Sequence, residues 1–296
     1  NDRITGSFDI YQRTTDDLLH SVTVLSWSNF SNRLLTNVGS LENLGAELSL
    51  NFIPVSTNDM LFSIGFNATY NVNKITKLLL TDDPNYIGIT YGDGMTGTKQ
   101  VTRVGFPAYA FFVNRQVYDA DGNPMEGLYV DESGEGGVVG GDNADKYIYH
   151  NPVADYLLGL SARFEYKNFD LSASARASIG NYVYNQVAAS ASYDQMQQIG
   201  YWKNFTRVLA ETNFVKRQYT SDHFVENASF LKLDNISAGY RFENLFGAVG
   251  ARVSATVQNA LILTKYSGLD PEVSGGIDNN FYPRPRTYML GIGLTF

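Results

Sequence analysis

Arg286-Thr287-Tyr288-Met289-Leu290-Gly291-Ile292-Gly293-Leu294-Thr295-Phe296 is the stretch whose reading decides the fold. Tyr288, Leu290, Ile292, Leu294 and Phe296 share one face of an extended chain, while Thr287, Met289, Gly291, Gly293 and Thr295 share the other. Side chains alternate across a strand, so this strand has one greasy face and one that is mostly small or polar. A strand of this kind that stops on an aromatic residue fits the closing strand of a transmembrane β-barrel, whose last aromatic sits in the interfacial girdle. One alternating strand is weak ground, and repetition has to carry the argument.

The pattern recurs along the chain. Ala46, Leu48, Leu50 and Phe52 alternate with Gly45, Glu47, Ser49 and Asn51, and Phe62, Ile64, Phe66, Ala68 and Tyr70 with Ser63, Gly65, Asn67 and Thr69. Alternating runs also occupy 156–166, 169–179 and 249–258, with shorter ones near 4–10 and 236–242. The polar face is rich in Ser, Thr, Gly and Asn, with scattered charges at Glu47, Arg163, Glu165, Arg176 and Arg252. A soluble sandwich would turn Lys, Glu and Arg to water on that face; small polar residues suit a lumen. Tyr70, Tyr166, Phe169, Tyr240 and Phe242 cluster at run ends, as an aromatic belt requires. The charges in the lumen are expected to pair across the wall, or to steer a substrate.

Composition agrees. The chain has 296 residues, no cysteine and a net charge of −8. Mean hydropathy is only −0.20, which a barrel tolerates because lipid-facing residues occupy alternate positions. No apolar run is long enough for a transmembrane helix, and no signal-peptide pattern opens the chain. A first residue of Asn rather than Met leads us to expect a mature or partial chain. The acidic balance argues against a nucleic-acid partner, which needs a basic stripe.

Short links are expected at 53–60, 166–169 and 242–248, and long ones at about 15–36, 76–152, 182–228 and 263–285. Outer-membrane barrels have short periplasmic turns and long extracellular loops. Counted back from Phe296, every long link falls extracellular. Eight strands are read, or ten if 76–152 holds a hairpin near 104–118. Eight strands could close as a small barrel, but its interior would be packed with side chains. The Ser- and Gly-rich face argues instead for an all-β, antiparallel transmembrane barrel of which this chain is the C-terminal part.

Ordered segments then resemble a known family. They are Arg3-Ile4-Thr5-Gly6-Ser7-Phe8-Asp9-Ile10-Tyr11, Asn37-Val38-Gly39, Asn43-Leu44-Gly45-Ala46-Glu47-Leu48 and Tyr166-Lys167-Asn168-Phe169-Asp170-Leu171. They continue with Phe230-Leu231-Lys232-Leu233-Asp234-Asn235-Ile236-Ser237-Ala238-Gly239-Tyr240, Gly268-Leu269-Asp270-Pro271-Glu272 and Pro285-Arg286-Thr287-Tyr288. The set resembles the C-terminal half of SusC/RagA-type TonB-dependent transporters of Bacteroidota. The resemblance implies a 22-stranded outer-membrane barrel with an N-terminal plug, TonB as energy source and a SusD-like lipoprotein lid. It also implies import of oligosaccharides or peptides across the outer membrane of a Gram-negative bacterium. Plug and TonB box have no counterpart in these residues.

Two candidate sites follow. Asp131, Ser133, Glu135 and Asp142 stand at positions 1, 3, 5 and 12 of a loop with Gly136 at position 6, a calcium-loop spacing. Position 12 carries Asp where a bidentate Glu is usual, so the loop reads as a degraded Ca2+ site or as a flexible acidic turn. Tyr193, Tyr201, Trp202, Phe281 and Tyr282 are candidate substrate contacts, because aromatic platforms bind sugar faces and also anchor protein interfaces. Phe205, Tyr219, Asp270 and Asp278 lie in the same loops. His20, His150 and His223 are widely spaced, fall in expected loops, and with no Cys make no zinc site. No catalytic motif is found, so no enzyme is expected. Two rivals stand: a complete small barrel acting as passive channel or adhesin, and a soluble all-β carbohydrate-binding domain.

Overall fold

The computed structural model describes residues 3–23, 30, 33–79, 86–93, 97–141, 145–194, 207–243, 249–280 and 282–295. Eight strands form one antiparallel sheet in chain order. They are β1 (Ile4–Thr23), β2 (Arg33–Ser56), β3 (Met60–Lys77), β4 (Tyr156–Tyr166), β5 (Phe169–Ile179), β6 (Phe230–Phe242), β7 (Gly250–Thr264) and β8 (Thr287–Thr295). Each expected alternating run falls in one of these strands, apart from Val249, which just precedes β7, and Phe296, which lies outside the described residues. The register carries the alternation from strand to strand. Leu50, Phe66, Leu160 and Ala175 form one apolar row, and Phe169, Tyr240, Val253 and Ile292 another. On the opposite face, Asn51, Gly65, Ser161, Ser174, Asn235, Gln258 and Thr287 form a small polar row.

The apolar rows are bare. Leu290 is 87% exposed, and Ile10 and Ile292 are each 75% exposed. A patch of this extent on a water-soluble monomer would be an aggregation liability, whereas lipid is its natural cover. Aromatic rings bound the rows at both ends. Tyr70 packs on Tyr156 at 4.9 Å near the long links, and Tyr240 on Phe242 at 4.8 Å near the short ones. Tyr156 and Tyr166 are the first and last residues of β4. At ~3.3 Å per residue and a tilt of ~40°, they stand ~25 Å apart along the barrel axis, the height of an outer-membrane apolar band.

Links at one end are tight. Residues 57–59 join β2 to β3 and 167–168 join β4 to β5, with Lys167 in the left-handed region at φ 52°. The Lys167 N–H donates to the Asp59 carbonyl (2.7 Å) and the Arg241 N–H to the Asn168 carbonyl (2.8 Å), lacing neighbouring turns together. The long links lie at the other end. Among the described residues β1 and β8 do not pair, so the sheet has two open edges. Unpaired edge groups in lipid cost several kcal/mol each, so the edges need further wall strands.

Two expectations are revised here. The first long link is shorter than 15–36, because β1 runs to Thr23 and β2 starts at Arg33. A register shift beside Asp17, held at φ 60°, lets the pair continue as a tall hairpin beyond the band, and it also puts His20 in a strand rather than a loop. The extra hairpin near 104–118 is not in the wall. Gly97–Thr102 and Ala110–Val113 belong to a separate four-stranded sheet, with Phe111 and Val113 fully buried. Their strands are too short to cross lipid, which takes ~9–11 residues.

Candidate functional site at the mouth of the wall

The long links build a packed cap. Its core joins Phe111 and Val113 of the β3–β4 link to Tyr184, Ala188, Ala189, Phe214, Phe224 and Val225 of the β5–β6 link. Strand Ile277–Asp278 of the β7–β8 link pairs in parallel with Tyr182–Asn185. Charged side chains tie the links together. Glu126 accepts the N–H groups of Val215 (2.6 Å) and Lys216 (3.0 Å). Glu226 accepts the Ser267 N–H (2.8 Å) and hydroxyl (2.7 Å). Asp222 accepts the Gln116 N–H (2.9 Å) and the Tyr147 hydroxyl (2.5 Å). Burial and the bond to Asp222 push the Tyr147 hydroxyl well above its usual pKa, so it stays a neutral donor. Tyr266 behaves alike, donating to Asp278 at 2.7 Å.

The cap leans on the polar face of the wall. Arg176 of β5 and Lys232 of β6 are register partners on that face, two cations directly opposite one another. Glu272 of the β7–β8 link meets both, 2.6 Å from Arg176 and 2.7 Å from Lys232, and also bonds Arg284. Asp234 adds a contact of 3.1 Å to Arg176, and Asp270 one of 3.6 Å to Arg284. Deeper in the wall, Arg252 of β7 reaches over Gly239 of β6 to Asp170 of β5 (2.6 Å). Arg163 pairs with Glu165 on its own strand. Glu47 lies opposite Asp9 and has no ion pair among the described residues.

Two large cavities open here. One of about 530 Å³ lies between wall residues Thr69, Leu157, Arg176 and Ser178 and cap residues Pro152, Pro271, Glu272 and Ser274. The other, about 490 Å³, lies within the cap against Asn185, Val208, Glu211, Leu269, Asp278 and Asn280. Both fall in the size range of small-ligand sites.

Over its whole length the chain is 44% identical to the TonB-dependent receptor SusC of Bacteroides thetaiotaomicron, covering 30% of that protein. It is 28% identical to the TonB-dependent receptor P3 of Formosa agariphila, covering 33% of it. Among solved structures, all of the chain superposes on 34% of a chain of the RagAB peptide transporter, with a TM-score of 0.74 at 27% identity. The RagAB peptide importer in its open-open state gives a TM-score of 0.77 at 25% identity, over all of this chain and 33% of that one. Over its whole length the chain matches one part of the SusC/RagA-type TonB-dependent receptors. No family model matches it.

The chain spans about a third of the length of these relatives. SusC/RagA-type receptors are outer-membrane proteins of Gram-negative bacteria, so the bare apolar band faces the outer-membrane lipid and the two open edges adjoin the rest of a larger barrel. In this chain, the sequence points to aromatics and one acidic loop. Tyr282 is 90% exposed, and Tyr193 lies elsewhere in the cap with its hydroxyl 3.4 Å from Asn213 Oδ1. Among the described residues no ring contact or hydrogen bond joins the two. Tyr201, Trp202, Phe205, Phe281 and Asp142 lie outside the described residues. Tyr219 packs against the cap core.

Asp131, Ser133 and Glu135 sit on the turn between strands Pro124–Val130 and Val138–Gly140. Asp131 Oδ1 accepts the Ser133 N–H at 2.8 Å, and the Ser133 side chain, with this backbone bond second, holds its carboxyl below the usual range. Among the described residues no three acidic or His side chains converge on one point. The charged residues that organise the mouth, Asp222, Glu226, Glu272 and Asp278, were not singled out for those roles. Their partners mostly lie far away in sequence, and no local spacing marks them.

Proposed function

We propose that this chain forms wall, extracellular vestibule and lid-docking rim of a SusC-like, TonB-dependent importer of oligosaccharides or peptides. The observation that carries the reading is the cap: three long links, folded into one cored body, stand over a small polar wall face and enclose two ligand-sized cavities. In this reading the long links are extracellular, a SusD-like lipoprotein closes over them, and substrate is held between lid and cap. TonB then acts through parts of the receptor beyond these residues. The protein works as a transporter component, not an enzyme, in keeping with relatives named as receptors and transporters. The exposed ring of Tyr282 and the half-exposed ring of Tyr193 are its proposed contacts for substrate or lid.

The test is to purify the native protein from outer membranes in detergent and weigh what co-purifies. A receptor several-fold heavier than 32.8 kDa, together with a lipidated partner, is the expected result. A lone chain of 32.8 kDa would refute it. Uptake of labelled oligosaccharides against labelled peptides by cells then separates the two substrate classes.

A further inference from the structure

The segment Asp270–Ser274 crosses from cap to wall, and one side chain fixes it there. Glu272 bridges Arg176 at 2.6 Å and Lys232 at 2.7 Å, and Arg284 grips the same carboxylate. Arg176 and Lys232 face each other across β5 and β6, a like-charge pair that repels unless an anion stands between them. Little water screens the contact, because the Lys232 side chain is 5% exposed and that of Glu272 10%. Glu272 is the ion-pair partner of Lys232 among the described residues. Pro271, Glu272, Val273 and Ser274 also line the 530 Å³ cavity above Thr69 and Leu157. On the other side Lys232, Asp270 and Arg284 line a smaller cavity of about 140 Å³.

We infer that Glu272 is a latch: it holds Asp270–Ser274 as a strap over the lumen-mouth cavity, and breaking its contacts with Arg176 and Lys232 opens that cavity. The wall supplies a fixed pair of cations and the strap supplies the movable anion. Closure therefore depends on one carboxylate, while the hydrogen bond from Gln100 to the Gly275 carbonyl (2.7 Å) anchors the far end to the cap as a hinge point. The inference rests on the importer reading for its purpose, but its geometry is local to the strap.

The test is hydrogen–deuterium exchange on the intact receptor in detergent. In Glu272→Gln the amides of 266–276 are expected to exchange about tenfold faster, with β5 and β6 unchanged. Lys232→Met serves as a second variant that leaves no buried lone charge; it is expected to accelerate the same amides by about threefold, since Arg176 and Arg284 remain. Thr69→Cys, on the cavity floor, is expected to react faster with an added maleimide when Glu272→Gln is present. Exchange at 266–276 unchanged in both variants overturns the latch. So does acceleration spread equally over 230–264, which makes Glu272 a support of the wall. Failure of the importer reading shows separately, in the mass of the purified receptor.

Discussion

Leu160→Arg in the intact receptor is the perturbation that most directly probes the apolar band. Leu160 is 48% exposed on the apolar face of β4, between Tyr156 and Tyr166 at the strand's ends. At ~3.3 Å per residue and ~40° of tilt, it lies ~10 Å below the nearer ring and ~15 Å above the farther one. That depth is close to the midplane of a ~25 Å band, where an arginine on a barrel's lipid face costs ~2–4 kcal/mol. The expected loss is ~2–3 kcal/mol, measured by denaturant unfolding of the receptor reconstituted in lipid vesicles. Ser161→Arg is the internal control: it lies next along β4 but on the polar face, opposite Gly65 and Ser174, where a charge meets water. Its expected cost is within ~0.5 kcal/mol, as for a surface change. Equal costs for the two substitutions would refute the assignment of faces. A water-soluble sheet would give no large penalty at Leu160, since half of that side chain is already in contact with solvent.

Three further outcomes are expected. Gly239→Ala places a methyl group where Arg252 passes to Asp170, within 2.5 Å of the guanidinium; both groups end flexible, partly exposed side chains that can swing aside, so the variant is expected to lose no more than ~1 kcal/mol, the worth of such an ion pair, in the same unfolding assay; a loss of several kcal/mol would mean that the bridge is held rigidly. His223 is half-buried against Phe224, with its ring 3.1 Å from the Tyr118 hydroxyl, and desolvation lowers its pKa from 6.5. The unfolded cap therefore takes up a proton first, and stability contributed by the neutral ring is intact above pH 6.5 and falls as pH drops below it; protection of the 222–227 amides, measured relative to the intrinsic exchange rate at each pH, is expected to fall on acidification, and His223→Gln to flatten that response. Chelation of calcium is expected to leave exchange at 131–141 unchanged, as for an acidic turn whose Asp131 caps the Ser133 N–H; calcium-dependent protection there would show a bound ion.

The wall was legible in the chain because its physics is periodic. Each of the eight strands repeats one rule, apolar towards lipid and small or polar towards the lumen, and a period of two is visible without knowing any partner. Runs such as Tyr156–Tyr166 and Thr287–Thr295 therefore located themselves, and short against long links ordered the two ends of the sheet. The height of the first hairpin escaped, since beyond the lipid β1 and β2 no longer have one lipid-facing side and alternation loses its cause. The cap was not legible at all. Phe111 against Tyr184, Glu126 beneath Val215 and Glu272 between Arg176 and Lys232 are pairings of residues far apart in sequence, and no local spacing announces them. Such contacts exist only once the sheet has brought the ends of its long links side by side. The sequence alone determined a membrane-spanning sheet with its faces and its order; the tertiary structure alone decided which loop residues converge on the mouth, because convergence there is set by packing over a shared surface and not by period.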